Sequence, residues 1–272
     1  MTATPRAIVI TGNGTNCERE AAEACRLGGF DAHNVHISSI LSGEVTLDSY
    51  QFLNLTGGFL DGDDLGSAMV QANRLKYAMV ADDGERVLEQ VLRFIDAGKP
   101  ILGVCNGFQL MVKMGLLPGL DGGLVRSTTL TFNDSGRYED RWVTLLVDEE
   151  SPCIFTRGIQ NVSLPVRHGE GKFVVRDEAV MGRLEAKRLL TVRYMDPATG
   201  KITMKYPENP NGSSEAVAGI CSPSGLLFGL MPHPEAYLHR VNHPRWTREN
   251  LPEEGAGIAF FRNAYEYVVQ AL

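Results

Sequence analysis

No stretch of this sequence approaches the roughly 18 uninterrupted apolar residues that a membrane-crossing helix needs. Its opening residues, MTATPRAIVITGNG, lack the basic and then apolar pattern of a secretion signal. A soluble, cytoplasmic protein is expected, with no membrane partner. Positive charge is in short supply: 26 Lys and Arg against 33 Asp and Glu leave a formal net charge of −7. Such a chain is a poor general binder of phosphate backbones, so nucleic acid is not an expected partner. There is no C-x-x-C pair, and the five cysteines (Cys17, Cys25, Cys105, Cys153, Cys221) are scattered and odd in number. That argues against a disulfide framework and against zinc or dithiol redox chemistry, and no metal site is expected. No P-loop or other phosphate cradle, internal repeat, low-complexity tract or linker interrupts the 272 residues, so one domain over 1–272 is expected.

What is present is a rhythm of strand, glycine turn and helix. Residues 6–11 (RAIVIT) are a β-branched run ending in Gly12-Asn13-Gly14. Ala21, Ala22, Cys25 and Leu27 then fall at helical spacing, with Asn16 placed to cap the helix and Gly28-Gly29 to end it. Residues 30–36 and 50–55 read as further strands, and Val87, Val91, Leu92 and Ile95 as one face of another helix. This alternation predicts an α/β fold, a mostly parallel sheet with helices on both faces. The most apolar strand, 100–104 (PILGV), belongs at the sheet centre. Beyond Gly119 shorter alternating segments such as 141–147 and 189–194 predict a smaller antiparallel portion, and 257–271 a closing amphipathic helix.

The central strand stops at Gly103-Val104-Cys105-Asn106-Gly107. This G-x-nucleophile-x-G form lets a strained strand-to-helix turn project a side chain above the sheet. The helix that follows favours the thiolate, and the free N–H of Asn106 points where an oxyanion would form. A lone cysteine is more often a buried structural residue, but the flanking glycines favour a nucleophile. A nucleophile needs a base and the base an orienting group. Of six histidines His233 stands out, because Pro232 and Pro234 bracket it and hold the segment extended. Strand-like alternation then puts Glu235 on the same side as His233. Gly57-Gly58-Phe59 also follows an apolar strand, and Gly58 is the candidate second oxyanion donor. Gln109, one helical turn after Cys105, is placed either to bond a substrate or simply to cover a helix surface.

Together GVCNGFQLM, TGGFLDGDDLGSA, HGEGKF, NPNGS and GLMPHPEA closely resemble the class I (triad) glutamine amidotransferases. Within them the chain is similar to the glutaminases of phosphoribosylformylglycinamidine synthase. The resemblance runs from about Ile8 to the final helix. It implies a flavodoxin-like three-layer fold and a Cys105–His233–Glu235 triad that hydrolyses glutamine through a thioester. It implies an oxyanion hole of Gly58 and Asn106, and a glutamine pocket lined by Gly57, Phe59, Gln109, His168 and Gly169. It also implies partners: a formylglycinamide ribonucleotide synthetase subunit that uses ATP and Mg²⁺, and a small bridging subunit. No cofactor belongs to this chain itself.

The match is not complete. Where short bacterial subunits read Gly-Asp-Tyr-Leu-Arg and Pro-His-Pro-Glu-Arg, this chain has Gly66 and Ala236 in place of the arginines. Leu65-Gly66, residues 29–43 and the tail 242–265 look more like the glutaminase domain fused to the large single-chain synthetase. Glu170 is a competing carboxylate, assigned to loop structure or partner communication. Cys17 is expected in a packing or pocket-wall role, Cys25, Cys153 and Cys221 as small core or surface residues, and the run 61–64 (DGDD) as a solvated turn or helix cap. His239 and His243 are expected at a solvated or interface position, with Trp246, Arg245 and Arg248 forming a docking surface.

Overall fold

The computed structural model describes residues 3–81 and 84–272. Twelve strands and seven helices follow in the order β1 (Arg6–Thr11), α1 (Glu18–Gly28), β2 (Asp31–His36), α2 (Ile37–Leu41), β3 (Phe52–Leu55), α3 (Met69–Tyr77), α4 (Val87–Asp96), β4 (Ile101–Val104), α5 (Asn106–Met114), β5 (Thr128–Thr131), β6 (Glu139–Val147), β7 (Asn161–His168), β8 (Lys172–Val175), α6 (Glu178–Ala186), β9 (Val192–Asp196), β10 (Lys201–Ile202), β11 (Val217–Cys221), β12 (Leu227–Leu230) and α7 (Ile258–Ala271), counted among the described residues. The main sheet runs β2-β1-β3-β4-β12-β11-β9-β6-β7, with β10 on β9. Its first five strands are parallel, and β11, β9, β6 and β7 continue it antiparallel. The expected antiparallel portion is thus largely an extension of the main sheet. A separate antiparallel pair, β5-β8, lies off it.

β4 sits between β3 and β12 and is buried along its length, as its unbroken apolar run requires. The strand order reverses direction between β1 and β3. Right-handed crossovers then send the helices to opposite faces and open a crevice at the carboxyl ends of those strands. On one face α1 packs against α7, so closely that a Cβ on Gly28 would lie 2.9 Å from the Phe261 backbone. On the other, α5 packs against α3 and β5. A chain of aromatic rings (Phe52, Phe155, Phe228, Phe260) joins the sheet to α7.

Several expectations change. Cys17, not Asn16, holds the cap position of α1, and no side chain caps it; Asn16 Oδ1 instead accepts from the Cys17 thiol at 3.1 Å. The strand expected at 189–194 begins only at Val192, because Leu189 and Leu190 form the buried connection from α6. His243 is not solvated: its buried ring packs 4.8 Å from Trp142 and 5.5 Å from Tyr237. The turn-rich loop 206–214 is held by buried amides. Asn211 Nδ2 donates to Gly171 O and Tyr194 Oη, and Ser213 Oγ accepts from Phe173 N–H.

Candidate active site

Cys105 stands between the end of β4 and the start of α5 with φ 52° and ψ −105°, a conformation L-residues avoid. Its neighbours make the turn possible. A Cβ on Gly103 would come within 2.6 Å of Met111 Sδ, and one on Gly107 would run into the Leu55 carbonyl oxygen. Only glycine lets α5 lie this close to β3 and β4. The strained residue is pinned by its N–H, which donates to Leu230 O of β12 at 2.8 Å. Asn106 is the first residue of α5, so its N–H has no acceptor within the helix.

His233 follows β12. Its N–H donates to Pro165 O of β7 at 2.8 Å, and its backbone is extended (φ −103°, ψ 93°). The next three residues, Pro234–Ala236, form a 3-10 turn rather than continuing extended. His233 and Glu235 therefore do not meet by strand alternation. The turn folds Glu235 back, and His233 Nδ1–H donates to Glu235 Oε1 at 2.6 Å with both side chains buried. Nδ1 is thereby committed, while Nε2 is buried without a partner. Burial works against the imidazolium, but the Glu235 carboxylate and the Cys105 sulfur outweigh it and hold His233 well above the usual histidine range. The Glu170 carboxylate is engaged elsewhere, accepting from Ser67 N–H at 3.2 Å.

Cys105 lies between two adjoining cavities of about 190 and 130 Å³, both lined also by Gly58, Phe59, Tyr138 and Arg167. The first adds Asn16, Cys17 and His233; the second adds Gln109, His168, Gly169 and Glu170, with Asp63, Ser67 and Phe132. Gly57 is not among the lining residues, but it sits directly under the histidine: a Cβ there would lie 2.8 Å from His233 Cε1. Gly58 has φ 124° and bridges to Thr15, which turns the 57–59 loop toward Cys105. Gln109 is buried; its Nε2 donates to Glu170 O at 2.6 Å and its Oε1 accepts from Asn106 Nδ2 at 3.2 Å. It ties α5 to the 168–171 loop. Asn133 fixes the same loop through His168 Nδ1, His168 O and Gly171 N–H. Burial, with His233 nearby, pushes His168 down to about 3, so this imidazole is neutral.

Sequence reasoning missed Tyr138, Arg167 and Phe132, which reach the cavities from the antiparallel extension and from loops with no motif of their own, and Ser67, which lies within the TGGFLDGDDLGSA motif but was not singled out. It also misread Asp63. That carboxylate is not a solvated turn residue: Oδ2 accepts from Ser67 Oγ at 2.9 Å, and Oδ1 is buried without a partner at the cavity wall. Cys17, distant in sequence from any base, comes within 3.8 Å of His233 Nδ1. Donor atoms of Cys17, His233 and Glu235 all lie within 4.8 Å of one another. The 2.6 Å Nδ1–Oε1 contact is nevertheless a hydrogen bond, shorter than the ~3.3 Å that ~2.0–2.2 Å bonds in a tetrahedral zinc site would impose.

A strained cysteine at a strand-to-helix turn, facing a buried histidine on a carboxylate, is the arrangement of a cysteine acyl-transfer enzyme. The CobB/CobQ-like glutamine amidotransferase domain matches residues 4–268, and the chain belongs to that family. It is 40% identical over 267 residues to the phosphoribosylformylglycinamidine synthase subunit PurQ of Dehalococcoides mccartyi, covering 97% of this chain and 98% of that one. The subunit of the same name from Archaeoglobus fulgidus is 36% identical over 275 residues, 96% of each chain. A probable phosphoribosylformylglycinamidine synthase of Arabidopsis thaliana, chloroplastic/mitochondrial, is 34% identical, with 97% of this chain covering 19% of that much longer one. The structure of PurLQS from Thermotoga maritima contains a chain matching at a TM-score of 0.70 and 29% identity, covering 97% of this chain and 99% of that one. Among the described residues no helix is long and apolar enough to cross a membrane.

Proposed function

We propose that this chain is the glutaminase subunit of a phosphoribosylformylglycinamidine synthase, acting as one amidotransferase domain. Cys105 Sγ attacks the side-chain amide carbon of glutamine. The N–H groups of Gly58 and Asn106 stabilise the oxyanion, and His233 Nε2 hands its proton to departing ammonia. The resulting glutamyl thioester is cleaved by water, whose proton returns to His233, and glutamate leaves. Glu235 keeps the imidazole in the tautomer that exposes Nε2. The observation that carries this reading is the committed Nδ1 and unpartnered Nε2 of His233 beside the same cavity as Cys105.

Glutamine lies in the cavity formed with Phe59, Gln109, His168 and Gly169, its α-ammonium toward Asp63 and Glu170. Ammonia passes to a synthetase subunit that uses ATP and Mg²⁺ to convert formylglycinamide ribonucleotide to formylglycinamidine ribonucleotide, with a small bridging subunit in the complex. The likeness to both free-standing PurQ subunits and the long plant enzyme supports docking in the manner of the fused domain.

The test is glutamine hydrolysis by the chain with and without such a synthetase. Activity low alone and raised in the complex is expected. High activity alone, unchanged by any synthetase, would instead mark a stand-alone glutamyl hydrolase. Cys105→Ala should abolish glutamine-dependent synthesis and leave ammonia-dependent synthesis by the partner intact. Equal loss of both would overturn the division of labour.

A further inference from the structure

Most arginines of this acidic chain face a carboxylate, as in Arg74–Asp61, Arg93–Asp48, Arg183–Asp121 and Arg262–Glu254. Others belong to no ion pair among the described residues, and one of these, Arg126, lies within a cluster of cations. Lys113, Arg126 and Arg176 line a cavity of about 410 Å³ that shares no residue with either cavity at Cys105. Among the described residues neither Lys113 nor Arg126 belongs to an ion pair, and Arg176 meets only the adjacent Asp177, at 2.8 Å. Lys76 is close enough to Arg126 for the two to repel, and so is Lys113. Asp177 beside Arg176 and Glu170 near Lys113 offset part of this charge, and a bound anion would relieve the repulsion that remains between Arg126 and the two lysines.

The cavity is equipped for an anion in other ways. Lys113, near the end of α5, is half-buried and fixed: its Nζ donates to Thr129 Oγ1 at 3.0 Å and to Leu130 O at 3.4 Å. An ammonium has three donors, so one remains for a ligand. Burial, then repulsion from Arg126, lowers the Lys113 ammonium, while the Glu170 carboxylate partly restores it. The buried hydroxyl of Thr128, a lining residue, has no hydrogen-bond partner. The lining also includes the apolar residues Met69, Val174 and Val175. Planar guanidinium and ammonium donors suit the tetrahedral oxygens of a phosphate group, and the apolar lining residues suit an organic remainder.

We infer that this cavity is a binding site for a small organic phosphate, its phosphate group held by Lys113, Arg126 and Arg176 and its carbon skeleton against Met69, Val174 and Val175. The experiment is calorimetric titration of the chain at constant ionic strength with glycerol 3-phosphate, inorganic phosphate and glycerol. Glycerol 3-phosphate is expected to bind with a Kd near or below about 1 mM, inorganic phosphate more weakly and glycerol not at all. Arg126→Ala, at an exposed position, and Lys113→Met should each weaken binding about tenfold or more. Arg157→Ala, outside the cavity, should leave it unchanged. No binding by the parent chain, or equal binding by Arg126→Ala, Lys113→Met and Arg157→Ala, would overturn the site. Retention of inorganic phosphate binding with no gain from the glycerol moiety would overturn the assignment to an organic phosphate. None of these readouts depends on glutaminase activity, so this inference and the proposed function fail separately.

Discussion

The pocket beside Cys105 ends in two carboxylates, Asp63 and Glu170, with Ser67 between them. Burial, and then the Glu170 charge against a partial offset from the Ser67 hydroxyl, raise the Asp63 carboxyl above its ordinary range. An α-ammonium placed there would neutralise the repulsion and satisfy the orphaned Oδ1. Asp63→Asn is accordingly expected to raise the KM for glutamine about 10- to 100-fold, the worth of one charge-assisted hydrogen bond. The variant should also lose most of its preference for glutamine over glutaramate, which lacks the amino group. An unchanged preference ratio would remove Asp63 from substrate recognition. His168 supports a second expectation. Folded, it stays neutral down to about 3 because it is buried beside His233, whereas in the unfolded chain it protonates near 6.5. Between those values the unfolded chain binds a proton the folded chain refuses. Its contribution is complete above about pH 6.5 and is lost as pH falls, by up to about 1.4 kcal/mol per pH unit. Urea unfolding at pH 7 and pH 5 should show a shallower loss of stability for His168→Gln than for the parent; equal slopes would contradict the neutral, buried histidine.

At the scale of elements, the site depends on how near α5 can come to the sheet. Gly107 lies where any side chain would meet the Leu55 carbonyl, and that oxygen belongs to β3, which cannot yield without breaking its ladder to β4. Gly107→Ala should destabilise the chain by about 1–3 kcal/mol and displace Cys105, lowering kcat more than the stability loss accounts for. Thermal melts beside glutaminase assays measure both, and a variant with parental values of each would show that the close packing is not needed. The elbow was legible because its demand is local: glycines on either side of a cysteine at the end of an apolar strand. The His233–Glu235 pair was legible as residues but not as geometry. Pro234 starts a 3-10 turn that alternation does not anticipate, and the turn brings the carboxylate to Nδ1. Tyr138 and Arg167 were not legible. They come from β7 and from the loop before β6, on the antiparallel extension, and reach the site only through sheet order. Sequence spacing carries no record of that order. Asn133, Asn211 and Ser213 likewise look like turn formers until their buried hydrogen bonds to the 168–171 loop are seen.

Over the whole molecule, the carboxyl ends of the parallel strands gather the reacting groups onto one side, and the mouth of that site is unusually apolar. Phe59, Phe132 and Tyr138 line it and are exposed, and Leu65 is exposed on the loop that carries Asp63. Exposed aromatic residues around a polar cavity are the composition of a surface covered by a partner, since a free chain gains nothing from holding them in water. A glutaminase that delivers ammonia to another chain has reason to place its contact there, because docking at the mouth excludes water from the transferred molecule. Phe132 is the most exposed of the three aromatic residues, and it lines only the cavity that holds Gln109 and Asp63, not the one that holds His233. Phe132→Ser should therefore leave the kcat of the fully assembled complex within about twofold while raising the synthetase concentration needed for half-maximal glutamine-dependent synthesis about tenfold or more, the loss of one buried aromatic contact. Titrating the synthetase against a fixed amount of each variant separates the two quantities. A lowered plateau with an unchanged midpoint would place Phe132 in catalysis, and an unchanged curve would place the docking surface elsewhere.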